Sequence, residues 1–581
     1  MPDGSSRPIA QMRPALSPAE NMPMTLDRAA PTPSKPAEPS RRLAIALLVV
    51  VSLLSFLPGL FTIPPVDRDE ARFAQATRQM VESGDYITPR LGEEPRYKKP
   101  IGIYWLQAGV VVTAGPEQVA EIGYYRLPSL VAAVLSVVVT YLIGLSLFGP
   151  SAALTGAILL AAAPLLGFEA HLAKTDAVNM LAALLCQLVL VRLYMNRTQD
   201  PPRFTPALLF WGAMGAGILV KGPIVPMLSG LTVLTLVLLD RKAAWLRGLQ
   251  PGLGIPLMLL VVLPWLIAVL VHSGGDFFRE SIGHDLLGKV STGQESHGKP
   301  PGWHLLTGLL TYWPGSFVVI AATPWVWRNR GDAAVRFCLA WLAPFWIAFE
   351  LVVTKLPHYT LPAAPAAFLM AGAAIAATAP VFAKGWRRVV LGLAAGLGLL
   401  LALALPFAFH WYQSALPPFV AFASAALILV AGGLALHQLI GGKTLAALGL
   451  LAAEAIMAQA LLFGLLMPQA DRFWIAPRAA ETLKQLAICP SPRIFIAGMN
   501  ETSMLFALGK DLTFGDGAAA ATFLDAPDCR IALLETRQKP AFQSSLAALG
   551  KEPPEARASI DGFNLGSGKW IKLEVMTNIP H

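Results

Sequence analysis

The chain has 581 residues, 55% hydrophobic and 14% charged, with a mean hydropathy of +0.56; a soluble domain carries roughly a quarter charged residues, so a soluble globular class is excluded. The net charge of +9 does not mark a nucleic-acid binder. Its basic residues sit in short clusters between apolar runs, where they set topology and meet lipid phosphates.

Residues 1–41 are rich in Pro, Ser and Ala, lack hydrophobic periodicity and a signal-peptide cleavage pattern, and are predicted to form a disordered cytoplasmic tail. Arg41 and Arg42 open the first apolar run. Clusters at Arg192/Arg197/Arg203, Arg241/Lys242/Arg247, Arg328/Arg330/Arg336 and Lys384/Arg387/Arg388 recur at every second connection. The positive-inside rule puts these on the cytoplasmic side. Working outward from them, spans are predicted near 43–63, 126–148, 151–168, 177–195, 205–220, 223–240, 253–271, 304–326, 334–353, 358–380, 388–411, 417–438 and 444–467. That makes about thirteen, each near the ~20 residues a crossing needs. An odd number leaves the region after 467 facing outward. The stretch 101–115 (IGIYWLQAGVVVTAG) is too short to span, and counting it would invert every later loop. It is predicted as a juxtamembrane or re-entrant helix with Tyr104 and Trp105 at headgroup level, a short tilted span being the alternative.

Ionisable residues gather at the outward ends. The first outward loop, within 64–125, holds Asp67, Arg68, Asp69, Glu70, Arg72, Arg78, Arg90, Arg96, Lys98 and Lys99. Later ends carry Glu169, His171, Lys174 and Asp176, then Lys221, then His284, Asp285, Lys289, His297 and Lys299, then Lys355, His358 and Tyr359. Such groups beside apolar helices are costly unless they line a water-filled cavity, and they mark function. Acids and cations converging on one membrane face suit a phosphate-bearing lipid.

Each motif also has a plainer reading. Asp69 opens the helical stretch EARFAQATRQMVESG and reads either as an N-cap or, with Arg72 one turn on, as a functional acid. Paired Lys98 and Lys99 ordinarily snorkel; on the outward face, against the charge bias, phosphate binding competes. Lys221-Gly222-Pro223 has no compensating acid nearby in the sequence. Lys355-Leu356-Pro357-His358-Tyr359 puts a cation and a polar aromatic at a broken helix junction. His284 and His297 flank a polar loop that permits a divalent metal, but the ligand spacing is loose, and solvated histidines are the simpler reading.

Residues 470–581 change character. Helical patterns at 477–487 and 541–550 alternate with strand-like runs at 493–497, 530–534 and 569–575, predicting a small outward α/β domain without a catalytic motif. Cys186 and Cys338 fall in apolar helices. Cys489 and Cys529 fall in this last region and are able to pair if it faces an oxidising compartment.

Taken in order, five motifs resemble a known group: DE-x-R-F after the first span, Y-x-K-P before GIYWLQ, T-D-A after the third span, KGP, and KLPHY-x-LP. They are similar to those of the polyprenyl-phosphate-dependent glycosyltransferases related to protein O-mannosyltransferases and lipid A aminoarabinose transferases, over residues 43–380. The resemblance implies an α-helical polytopic fold of GT-C type, with juxtamembrane helices in the first outward loop, a lipid-facing cavity and inverting transfer without a nucleotide sugar. It implies catalytic roles for Asp69 and Asp176, and carrier-phosphate contacts for Arg72, Lys99 and Tyr359. Lys221 and Lys355 are added as cations beside them, and Glu70, Tyr97, Lys98 and His358 as secondary candidates. Two positions depart from the pattern. Lys98 stands where aminoarabinose transferases carry glutamate, which puts a metal site in doubt. Phe73 stands where tyrosine is common; together the two weaken aminoarabinose as the donor sugar.

The expected protein is therefore an inner-membrane glycosyltransferase with its active site and C-terminal domain in the periplasm. Its partners would be a polyprenyl-phosphate sugar, membrane lipids and an acceptor such as lipid A, lipopolysaccharide, another glycan or protein. A transporter or flippase of lipid-linked sugars accounts for the helices equally well. Against it stand charges gathered on one face rather than at the midplane between repeats, and the lack of an internal repeat. A structural anchor for the C-terminal region needs no charged outer face.

Overall fold

The computed structural model describes residues 40–66, 68–196, 204–281, 283, 288, 298–509 and 512–579. The predicted N-terminal tail up to residue 39 and the loop positions His284, Asp285, Lys289 and His297 lie outside them. Among the described residues, nine helices are long and apolar enough to cross a membrane. Two bent pairs, Pro150–Ala161 with Pro164–Ala170 (61°) and Trp303–Thr311 with Gly315–Arg328 (118°), raise this to eleven. Proline stands at both breaks (Pro164 and Pro314), where its missing N–H interrupts the helical ladder. Arg41–Phe56 and Ile224–Asp240 occupy the remaining two predicted spans but are only 16 and 17 residues long. A helix lies in each predicted span, yet length and composition do not bring the count to thirteen.

The loop after the first span, predicted to face outward, holds two helices. Asp69–Ser83 lies between the first span and a short hairpin, Arg90–Leu91 paired with Glu94–Pro95. Gly102–Ala114 follows, 13 residues long, about 20 Å at 1.5 Å per residue and too short to cross. It packs between Asp69–Ser83 and the long helix Ile122–Leu147. Trp105 is exposed there and donates its ring N–H to the carbonyl of Tyr86. Tyr104, expected beside it at the headgroups, is instead fully buried against Phe73, and its hydroxyl accepts from Arg96 at 3.2 Å.

The C-terminal region folds around a five-stranded sheet with strand order 512–515, 493–497, 530–535, 569–577, 558–564. The first three strands run parallel and the last two join antiparallel. Parallel strands are buried on both faces, and the alternation in Arg493–Ala497 shows how. Ile494 and Ile496 face one apolar cluster with Ile475, Leu533 and Leu573, while Phe495 and Ala497 face another with Leu534 and Phe542. The predicted helices and strands are present. The pieces not predicted, Thr502–Leu508, Leu512–Gly515, Gly517–Leu524 and Ala558–Asn564, are short or carry glycines that blur periodicity. Cys489 and Cys529 form a disulfide, while Cys186 and Cys338 are free and buried. Denatured without reductant, the protein will therefore take up maleimide at Cys186 and Cys338 only. After reduction, labelling mapped by mass spectrometry will extend to all four cysteines.

Candidate active site

Four junctions between helices converge. The helix Asp69–Ser83 begins after Arg68, whose φ of 67° makes it the capping position; Asp69 is the first helical residue rather than the N-cap. Its two long faces do different work. Asp69 and Phe73, one turn apart, line a cavity of about 210 Å³, and Arg72 lies 3.7 Å from the Asp69 carboxylate. Glu70 points the other way into the protein. Its oxygens accept from Arg126 Nε and Nη2 at 2.7 and 2.9 Å, and from the backbone N–H groups of Val66 and Ala173 at 2.7 and 2.8 Å. Arg126 in turn donates to the carbonyls of Leu60, Ile63 and Pro64. Both side chains are essentially inaccessible to solvent. Glu70, expected as a secondary site residue, is thus a buried structural acid.

The second junction runs from the bent helix Pro164–Ala170 to Asp176–Met195. It presents Glu169, Lys174 and Asp176, all buried. Lys174 Nζ lies 3.0 Å from Glu169 and 3.5 Å from Asp176. Burial works against its charge, but Glu169 and then Asp176 outweigh burial and hold its pKa above the ordinary lysine value. At the third junction Gly222, at φ +63°, turns the chain between the helices Phe204–Lys221 and Ile224–Asp240. That turn delivers Lys221 onto the Asp176 carboxylate. The acid missing from the sequence around Lys221 is supplied from 45 residues away. At the fourth, His358 lies between Glu169 (3.4 Å from Nδ1) and Asp176 (3.6 Å from Nε2). The Tyr359 ring sits 5.8 Å from the Lys221 ammonium.

The cavity therefore brings together Asp69, Lys99, Asp176, Lys221, His358 and Tyr359. Five expected residues do not line it: Arg72, which only reaches the Asp69 carboxylate, and four others. Lys355 is buried and donates to the carbonyl of Val352 at 2.6 Å. Tyr97 packs edge-on against Phe277, with burial pushing its phenol pKa up. Lys98 is exposed on the surface, and Glu70 is committed to Arg126. His284 and His297 lie outside the described residues.

Lys174 and Asn179 line the cavity without having been chosen from the sequence. Lys174 was visible as a charge beside an apolar helix; Asn179 gave no signal beyond its place one turn after Asp176. Arg126, missed entirely, was a lone cation in the first turn of a long apolar helix, a position that is itself informative. The only described group of acids and histidine able to hold a cation is Glu169, Asp176 and His358, whose ligand atoms lie within 4.8 Å of one another. Lys174 and Lys221 already rest against its carboxylates, so an ion would have to displace an ammonium group. Apolar residues complete the lining, among them Ile224, Met227, Ala348, Phe349 and Val352.

Comparison with known proteins agrees with this architecture. The family described as dolichyl-phosphate-mannose-protein mannosyltransferase matches residues 98–267. The undecaprenyl phosphate-alpha-4-amino-4-deoxy-L-arabinose arabinosyl transferase of Pseudomonas aeruginosa (strain UCBPP-PA14) is 29% identical over 337 residues, 56% of this chain and 59% of that protein. Its namesake from Pectobacterium atrosepticum is 28% identical over 392 residues, 63% of this chain and 66% of that protein. The matches thus span about three-fifths of the length of these curated relatives. The crystal structure of ArnT from Cupriavidus metallidurans bound to undecaprenyl phosphate superposes with a TM-score of 0.74 at 19% identity, covering 93% of this chain and 98% of that one.

These observations define the class as a membrane protein of GT-C fold. Within it, the chain is related to the superfamily that joins the protein O-mannosyltransferases to the aminoarabinose transferases.

The Glu70–Arg126 pair braces the site from outside its lining and is fully buried. Arg126→Ala strands a buried carboxylate and three carbonyls, and breaking a buried pair costs about 3–5 kcal/mol. The variant will show a clearly lowered unfolding midpoint in detergent. Lys98→Ala, on the exposed surface, will leave the midpoint unchanged.

Proposed function

We propose that this chain is an integral-membrane glycosyltransferase that moves a sugar from a polyprenyl-phosphate carrier to an acceptor on the outward side of a bacterial inner membrane. The observation that carries this reading is the mixed lining of the cavity. Lys99, Lys174 and Lys221 with Asp69 and Asp176 share it with the apolar Ile224, Met227, Ala348, Phe349 and Val352. A phosphate attached to an isoprenoid combines the same two characters. The names of the relatives and the ligand of the superposed structure point to the same donor class. On this reading the cavity, the first-loop helices and the C-terminal region face the periplasm.

Transfer breaks the bond between the anomeric carbon and the carrier phosphate oxygen as an acceptor oxygen attacks the opposite side of that carbon, which inverts it. The electron pair of the broken bond goes to the phosphate. Preorganised cations stabilise such developing charge well in a water-poor site, and Lys99, Lys174 and Lys221 fill that role, with Arg72 beside Asp69. An acceptor hydroxyl must lose its proton. Asp69, lining the cavity and still solvent-accessible, is the general base, and Asp176, held between lysines, orients the sugar or the acceptor. An acceptor phosphate needs no base, and Asp69 then positions groups. Lipid A or other lipopolysaccharide, another glycan or a protein fits the acceptor role. Asp176 stays charge-compensated by Lys221 throughout.

Two measurements test this reading. Purified protein in detergent, without any gradient, will consume a polyprenyl-phosphate sugar in the presence of a membrane-lipid extract, which a flippase will not do. Asp69→Asn will lower that rate by about 100-fold or more while eluting as a folded protein. Unchanged turnover in the variant removes Asp69 from the chemistry. Mass spectrometry of envelope glycolipids from a deletion strain and its parent identifies sugar and acceptor.

A further inference from the structure

We propose that the C-terminal α/β region sets the position of the helix Asp69–Ser83, and that Phe506 is the positioning residue through which it acts. The proposal rests on the transferase reading only in calling that helix part of an active site.

The helix carries three residues on one stripe at four-residue spacing, Glu70, Ala74 and Arg78, which share a face. The first holds the membrane-embedded core through Arg126. The last holds the C-terminal region: Arg78 Nη1 donates to the carbonyl of Phe506 at 3.0 Å, and its guanidinium lies 5.8 Å from the Phe506 ring. Between them Ala74 is fully buried. Phe506, 4% exposed, belongs to an apolar cluster with Ala74, Val111, Ile122, Tyr125 and Ala173, and Tyr125 meets its ring edge-on at 5.7 Å.

These partners come from two of the cavity-lining segments and from the two helices packed beside them. Ala74 is on the helix of Asp69, and Val111 is on the juxtamembrane helix after Lys99. Ile122 and Tyr125 flank Arg126, and Ala173 precedes Lys174. Ala173 also donates its N–H to Glu70. One ring from the C-terminal region is thus packed among four separately supplied pieces of the site's frame. Its own short helix, Thr502–Leu508, has nothing to gain in its sheet by presenting that ring outward: its Met504 already fills the sheet's apolar cluster. Rate depends steeply on placement, because a shift of about 1 Å caused from a distance can cost roughly 100-fold.

The test uses the full-length protein in nanodiscs. In Phe506→Ala, hydrogen exchange of peptides covering 69–83 will quicken by about tenfold or more, while peptides from strands 530–535 and 569–577 keep their protection. Transfer will lose about tenfold or more in kcat with the donor KM within about twofold, and Phe506→Leu will restore part of both. Should Phe506→Ala fail to fold, Arg78→Leu, which removes the link to the Phe506 carbonyl and ring, takes its place with the same expectations. Unchanged exchange at 69–83, or faster exchange confined to the sheet, overturns the proposal. Wild-type protein without transfer activity would sink the transferase reading alone, since the exchange measurement still reads the positioning.

Discussion

A buried arginine at the top of a long apolar helix fixes the outer end of this molecule. Removing two charges from water costs several kcal/mol per ion unless geometry and further hydrogen bonds return it. Arg126 meets that condition fully: its five N–H donors go to both Glu70 oxygens and to the carbonyls of Leu60, Ile63 and Pro64. Glu70 likewise has each oxygen engaged twice, by Arg126 and by the N–H groups of Val66 and Ala173. The pair therefore joins the end of the first helix, the start of the Asp69 helix and the approach to Asp176 to one rigid span. Any slip of these segments would leave a charge or a carbonyl without a partner, in surroundings where no water replaces it. The presence of Asp69 and Asp176 in one cavity follows from that constraint.

Within this frame the charges of the cavity alternate. Lys174 lies against Glu169 and Asp176, Lys221 against Asp176, and Arg72 beside Asp69. Each of these cations is held by an acid, which fixes its direction. Such cations cost little reorganisation when a further negative charge develops near them. The apolar residues that share the lining lower the local dielectric and strengthen the same interactions.

Much of this was legible in the sequence. Apolar run length and alternating arginine clusters located a helix in each predicted span, because bilayer thickness and the charge rule act on composition directly. Acids and lysines beside helix ends marked the site, since their exposure to lipid would be prohibitive. Pairings between distant segments were not legible. Lys221 has no acid near it in the chain, and only the packing of Phe204–Lys221 against Asp176–Met195 shows that Asp176 serves it. Glu70 and Asp69 are adjacent and chemically alike, yet the helix sends them to opposite faces, one to structure and one to the cavity. Sequence distinguishes them only once the direction of the core is known. Tyr104 and Trp105 illustrate the same limit: one interfacial-looking pair, with one ring buried under Arg96 and the other outside.

The two departures from the family pattern take on definite meaning in three dimensions. Phe73 lines the cavity edge with its ring against Tyr104 and under the Arg96 guanidinium, 5.1 Å away. An apolar ring suffices for this packing, and the neighbouring Tyr104 hydroxyl supplies the acceptor for Arg96. Lys98 is exposed and lies outside the cavity lining, while Lys99 beside it lines the wall. The acids that could ligate a cation, Glu169 and Asp176, are already balanced by Lys174 and Lys221. In this chain, then, the positive charge of the cavity is built from fixed side chains. Its strength is set by how firmly the surrounding helices hold Lys99, Lys174 and Lys221 in place.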